Sequence, residues 1–302
     1  MKAVRMYEYG GPDVLRYEED VPDPVLAPDA VLIDSVATSV NPIDWKIRSG
    51  ARQKDFPLDL PAILGRDVSG TVVAVGSDVR DFAPGDRVIA FGTATYASRV
   101  ALPADTVTRL PDGVDQVDAA ALPLAVLTGD QLVRGATRAV AGQSILVSGA
   151  LGSVGRAAVH SALKLGARVI VGVRGRQLAD AEALGAHGVI ALDDEGAMAS
   201  LEPVDGVADT VGGAVAAMLL GKVKPGGRFG YASVLPEDAK NASVEISRVF
   251  AQPDPVTLRA FAEDYRDGRF ALPISRRMPL REAGAAHEML EKGGGGKVVL
   301  TI

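Results

Sequence analysis

No cysteine occurs among the 302 residues. That excludes disulfides, thiolate zinc sites and cysteine nucleophiles, and it removes any thiol clue to redox compartment. Imidazole is nearly as scarce. His160, His187 and His287 are the only histidines, widely separated and without the H-x-x-x-H spacing that sets two ligands on one helix face. No metal is expected, and the three rings are expected on helix surfaces or near turns. Aromatic residues make up 5% of the chain and Trp45 is its one tryptophan; a lone aromatic of this kind is expected to pack rather than to wall a site. A cationic excess is also missing. The net charge of -6 offers little to a phosphate backbone or an anionic lipid surface, so nucleic-acid binding is disfavoured. No apolar run reaches the roughly 20 residues that span a bilayer, and residues 1–10 carry charges where a signal segment would be apolar. The expectation is a cytoplasmic protein with no membrane partner.

What the chain does contain is apolar surface and turns: 47% hydrophobic residues and 34 glycines. Its length is more than one core usually holds, which predicts two domains. Up to about residue 110 the pattern is short β-like runs cut by Gly, Pro and Asp, such as 30–37, 68–75, 86–90 and 96–101. Beyond Pro111 helix-like and strand-like segments alternate, the signature of βαβ units on a parallel sheet. Strands are predicted at 144–148, 167–173, 188–192, 206–211 and 228–232, and helices at 153–166, 177–184, 254–267 and 281–291. An apolar strand closes the chain at 297–302, after a glycine turn at 293–296.

The segment Gly149-Ala150-Leu-Gly152-Ser153-Val154-Gly155 sits between a predicted apolar strand and an amphipathic helix. Glycines there let backbone N–H groups approach a pyrophosphate, so the segment reads as a dinucleotide turn. At the end of the next strand the sequence Gly172-Val-Arg174-Gly-Arg176-Gln has no acid before Asp180. An acid there would bind a ribose 2′-hydroxyl and repel a 2′-phosphate, whereas two arginines suit the phosphate, which favours NADP(H). The alternative is that both arginines are solvated loop charges. Ligands of open α/β sheets lie off the carboxyl ends of strands, which adds Val211, Tyr231 and Ser233 to the expected cofactor contacts.

Several further segments, in this order, resemble the zinc-independent branch of the medium-chain dehydrogenase/reductase superfamily, the quinone oxidoreductases and enone or alkenal reductases. They are Asn41-Pro42-Ile-Asp44-Trp-Lys46, Pro61-Ala-Ile-Leu-Gly65-Arg66-Asp67, Phe82-Ala-Pro-Gly-Asp86, Pro123-Leu-Ala-Val-Leu-Thr128, Asp209-Thr-Val-Gly-Gly213, Lys224-Pro-Gly-Gly227 and Gly296-Lys297-Val-Val-Leu300. The likeness covers nearly the whole chain. It implies a GroES-like β-rich domain (residues 1–115 and 268–302) and a Rossmann NADP-binding domain with a doubly wound parallel sheet (116–267). A cleft between them, NADPH as cofactor, a small quinone or enone as substrate and a homodimer built through the Rossmann sheets are also implied. In the zinc enzymes of that superfamily a histidine ligand follows the glycine at position 65; this chain has Arg66 there.

Within that frame Lys46 is the expected catalytic donor, an ammonium able to polarise the acceptor carbonyl or place a proton. The competing reading has its charge facing solvent or pairing with Asp44. Asn41 and Asp44 are read either as orienting substrate or ribose or as part of an ordinary turn, and Asn41 and Pro42 are counted among the expected cofactor contacts. Resemblance places Thr128 and Phe250 near the nicotinamide, whereas Tyr96 is expected in the core. Two other functions stay open at this level: reduction of enoyl thioesters, and NADPH binding with a regulatory role and little turnover.

Overall fold

The N-terminal run forms β1 (Ala3–Met6), β2 (Leu15–Glu18) and the long β3 (Ala30–Val40), then α1 (Pro42–Arg48). Next come β4 (Ala62–Ile63), β5 (Asp67–Val75), β6 (Arg87–Phe91), β7 (Arg99–Pro103), β8 (Val107–Arg109) and α2 (Gln116–Ala119). Helix α3 (Pro123–Gln131) continues as a π-helical turn over Leu132–Thr137. A βα alternation follows: β9 (Ser144–Ser148), α4 (Ser153–Lys164), β10 (Arg168–Val173), α5 (Leu178–Glu182), β11 (Gly188–Ala191), α6 (Glu195–Ser200), β12 (Val204–Asp209), α7 (Gly213–Leu220), β13 (Val223–Tyr231) and β14 (Glu245–Arg248). The chain then forms α8 (Pro255–Arg266), β15 (Ile274–Pro279), α9 (Ala283–Glu291) and β16 (Lys297–Thr301). This computed structural model describes residues 1–235, 239, 243–293 and 296–302; Gly294 and Gly295 of the expected glycine turn lie outside the described residues.

Two compact units result, Met1–Leu124 with Pro253–Ile302, and Ala125–Gln252. The first is β-rich. Its seven-stranded sheet has the order β15-β16-β3-β5-β6-β8, with β7 also on β3, and every pairing except β15 with β16 is antiparallel. Val31, Ile33, Val68, Val72, Val88 and Val100 close its core. Burial of branched side chains on one pleated face is what selects this register, because a one-residue slip would expose them all.

The second unit is a six-stranded parallel sheet of order β11-β10-β9-β12-β13-β14. The order reverses between β9 and β12, which is the doubly wound arrangement expected from the βα alternation. Ile145, Val147, Val169 and Val171 are fully buried, and α4 packs Ala158 and Ala162 against them. Among the described residues no helix is long and apolar enough to cross a membrane.

Residues 116–124 and 253–267 group with the β-rich unit. Helix α8 goes with the β-rich unit because Phe261 packs edge-on against Phe270 (5.1 Å) and Arg259 reaches the Arg109 carbonyl. The Asn-Pro-x-Asp segment opens a helix: Asn41 is the cap, Pro42 fills the first position, and Asp44 accepts the Asn41 N–H at 2.8 Å. Finally, His287 is fully buried within α9, although the histidines were expected at surfaces.

A buried ion pair ties the β-rich unit together. Lys297 Nζ donates to Asn41 Oδ1 (2.8 Å) and lies 3.3 Å from Asp67 Oδ2, with both charged side chains almost without solvent contact. Asp67 also accepts from Asn41 Nδ2 (2.7 Å), the Ser39 hydroxyl and the Leu124 N–H (2.7 Å). Removing one partner of such a pair strands the other charge, at a cost of about 3–5 kcal/mol. Lys297→Met should therefore lower stability in urea unfolding by roughly that amount, and adding Asp67→Asn should return part of it. A double variant no better than the single one would show that the charges are not coupled.

Candidate cofactor and active site

All six strands of the second unit point the same way, so their carboxyl ends share one edge. Ser148 ends β9, Val173 ends β10, Asp209 ends β12, Tyr231 ends β13 and Arg248 ends β14. Gly149, Ala150, Gly152, Ser153 and Val154 follow β9; Arg174 and Arg176 follow β10; Val211 follows β12; Ser233 follows β13; Phe250 follows β14. The structure thus gathers all of these sequence-predicted positions, with Tyr231, on one rim.

The turn between β9 and α4 requires glycine at two positions. Gly149 has a φ of 60°, and a Cβ on Gly155 would collide with the Gly149 carbonyl oxygen. Gly152 begins α4 without a side-chain cap, leaving the first N–H groups of the helix for an anion. Arg174 and Arg176 are exposed and make no ion pair among the described residues. Their turn is held by the Gly175 N–H donating to Asp193 Oδ1 at 2.6 Å. Phe250 lies under the Arg248 guanidinium, 4.2 Å from its ring centre. Thr128 is buried on α3.

Sequence reasoning missed a clasp between β9 and β12. The Ser148 hydroxyl donates to Asp209 Oδ1 (2.5 Å) and accepts the Thr210 N–H (2.9 Å). The Asp209 carboxylate also takes the N–H groups of Val211 (3.2 Å) and Gly212 (2.9 Å). Burial raises the Asp209 carboxyl above its usual range, against the lowering effect of these donors. The clasp fixes the Thr210–Gly212 backbone, and with it Val211, against the glycine turn. A polar residue ending each of two apolar strands was the signal available in the sequence.

In the β-rich unit, α1 carries Asn41, Pro42 and Lys46. Asn41 is buried, and its amide braces Asp67 and Lys297, so a structural role comes first for its side chain. Pro42 is exposed. Lys46 is half-buried, with Nζ 5.5 Å from the centre of the Trp45 ring. Asp44 turns inward, where Tyr96 Oη donates to its Oδ2 (3.1 Å) and also meets His287 Nε2 (2.9 Å). Burial pushes the Asp44 carboxyl up to about 7. Burial, with the Arg48 charge adding to it, holds the His287 imidazole down to about 3. Tyr96 is raised well above the ordinary phenol by burial and by Asp44. Asp44, Tyr96 and His287 were not read as a group from sequence, being far apart along the chain.

The alcohol dehydrogenase GroES-like domain family matches residues 27–112, and the family described as zinc-binding dehydrogenase matches residues 184–300. A quinone oxidoreductase of Lama guanicoe is 32% identical over 327 aligned positions that cover 100% of this chain and 98% of that protein. The chain belongs to the quinone oxidoreductase group of the medium-chain dehydrogenase/reductase superfamily.

Other members of the group match in part. The Mus musculus quinone oxidoreductase is 38% identical over 172 residues, and the chain spans about half of that relative's length (51%). The Arabidopsis thaliana chloroplastic NADPH-dependent alkenal/one oxidoreductase is 40% identical over 176 residues, 54% of this chain and 44% of that protein. The Escherichia coli quinone oxidoreductase complexed with NADPH superposes with a TM-score of 0.87 at 26% identity, covering 100% of both chains. The GroES-like match spans β3 to β8 and α1, and the second match runs from the β11 region through β16.

Asp44 and His287 give this quinone oxidoreductase family member opposing pH terms. A carboxyl near 7 in the folded state and 3.8 unfolded stabilises fully in acid and loses that stability as pH rises toward 7. An imidazole near 3 folded and 6.5 unfolded does the reverse, losing stability as pH falls from 6.5. Asp44→Asn removes the first term alone. The stability of that variant relative to the parent should rise between pH 4.5 and 7, by at most about 1.4 kcal/mol per pH unit. Urea titrations across this range giving a constant gap would contradict a neutral Asp44.

Proposed function

We propose that the chain is an NADPH-dependent, metal-free oxidoreductase that transfers hydride to quinones or α,β-unsaturated carbonyls. The observation that carries this reading is the β9–α4 turn, in which Gly155 lets α4 pack directly on the Gly149 carbonyl and Gly152 opens the helix without a side-chain cap, beside two exposed arginines at the end of β10. The NADPH complex of the similar Escherichia coli enzyme and the name of the Arabidopsis relative support the choice of cofactor and acceptor. Arg66 where the zinc enzymes place a histidine, in a chain without cysteine, supports chemistry without zinc.

Bound NADPH would supply the hydride. In this reading the turn residues Gly149, Ala150, Gly152, Ser153 and Val154 hold the pyrophosphate, while Arg174 and Arg176 clamp the 2′-phosphate. Val211, Tyr231, Ser233 and Phe250 line the rest of the cofactor, and the Thr128 hydroxyl and the Asn41–Pro42 segment contact its nicotinamide half. Lys46 stabilises negative charge developing on the acceptor oxygen. A homodimer joined through the Rossmann sheets completes the proposal, supported by β14, which ends its sheet with one edge unpaired among the described residues.

Purified protein treated with a chelator should oxidise NADPH in preference to NADH, followed at 340 nm, with quinones or enones as acceptors. No turnover with any acceptor of a broad panel would overturn the reading. Arg174→Ala with Arg176→Ala should raise the KM for NADPH roughly tenfold or more and leave that for NADH nearly unchanged. Lys46→Met should lower kcat by about 10²-fold or more without weakening NADPH binding.

A further inference from the structure

Arg66 lies between β4 and β5, one residue before the buried Asp67. Its guanidinium carbon is 5.2 Å from the centre of the Phe56 ring and 5.3 Å from that of Phe91. The side chain is half-buried, Nε is enclosed without a hydrogen-bond partner, and Nη1 reaches only the Gly92 carbonyl, at 3.5 Å. A guanidinium carries five donors in a planar fork, and this one uses a single long bond.

The two carboxylates whose fields reach Arg66 are engaged elsewhere. Asp67 is bonded to Lys297, Asn41, Ser39 and Leu124, and Asp44 to Asn41 and Tyr96. Burial lowers the Arg66 pKa while those two acids raise it again, so the group is a desolvated cation without a bonded counter-ion among the described residues. A half-buried charge of this kind, with its Nε enclosed, is better satisfied when a ligand completes it. Two aromatic faces hold the guanidinium in place, which favours a fixed fork able to meet two oxygens of an oxyanion over a mobile surface charge.

We propose that Arg66 binds an anionic oxygen, carboxylate or sulfonate, carried by the acceptor, and so makes the protein selective for acidic acceptors. The assignment to the acceptor rather than to a cofactor phosphate rests on the reductase reading above. Arg66 directly precedes Asp67, which is bonded to Asn41 at the head of α1, the helix that carries Lys46, whereas the glycine turn and Arg174 and Arg176 belong to the other unit.

The test compares 1,2-naphthoquinone-4-sulfonate with neutral 1,2-naphthoquinone, using NADPH and the full chain. Arg66→Met should raise the KM for the sulfonate roughly tenfold or more, with the neutral quinone and NADPH changing less than about twofold. Arg66→Lys should recover part of the loss and serves if the methionine variant does not fold. Equal changes for both quinones, or none, would overturn the inference while leaving the reductase reading intact. Calorimetry with 2-naphthalenesulfonate needs no turnover: binding by the parent that Arg66→Met weakens supports the inference, and equal binding in both, or none by the parent, overturns it. Binding through Arg66 in a chain that reduces no quinone would keep the anion site and remove the reductase reading.

Discussion

The β-rich unit is organised around one buried carboxylate. Asp67, at the start of β5, is met by Lys297 of β16, Asn41 at the head of α1, Ser39 of β3 and the backbone of Leu124 in the first turn of α3. Two strands and two helix starts are thereby fixed to one side chain. The arrangement is tolerable because both oxygens of the carboxylate are met by donors, Oδ2 by Ser39, Asn41 and Lys297 and Oδ1 by Leu124, and its charge is balanced by Lys297. It also explains why α1 begins where it does. With its amide anchored below, Asn41 leaves Asp44 to receive its own N–H, and the helix presents Lys46 from a fixed base.

The Rossmann unit solves a parallel problem with neutral and charged groups in a different balance. Its turn after β9 and its turn after β12 both need a glycine-dependent backbone, at Gly149 and at Gly212 and Gly213. Ser148 and Asp209 join them below the rim, so the donors that face outward from the turns are held by donors and acceptors that face inward. Turns braced in this way need less ordering on binding than turns that are free to move.

Legibility in the sequence followed the range of the physics. Strand β9, the glycine turn and α4 were readable because apolar run, backbone geometry and helical period are all local, and the parallel order of the second sheet followed from the βα alternation. Strands β14 and β15 were not expected, the latter because Ile274–Pro279 carries two adjacent arginines and lacks an apolar alternation. Helix α1 was read as a turn because Asn, Pro and Asp serve caps and turns by the same side-chain bonds. The Tyr96–His287 bond spans 191 residues and the Lys297–Asp67 pair spans 230, so no local pattern announces either. His287 was assigned to the surface for that reason: its burial is set by a partner that only the fold supplies.

The place of β16 in the first sheet has a consequence for the chain as it is made. Strand β16 pairs on one side with β15 and on the other with β3, and its Lys297 answers Asn41 across 256 residues. On the ribosome, every strand of the Rossmann sheet is available once Arg248 has emerged. Strand β3 meanwhile keeps unpaired backbone groups over Ala37–Val40, and Asp67 has no counter-charge, until residues 297–301 have been translated. The nascent protein thus passes through a stage in which the parallel sheet is complete and the other sheet is open, the interval in which a holding chaperone has most to cover.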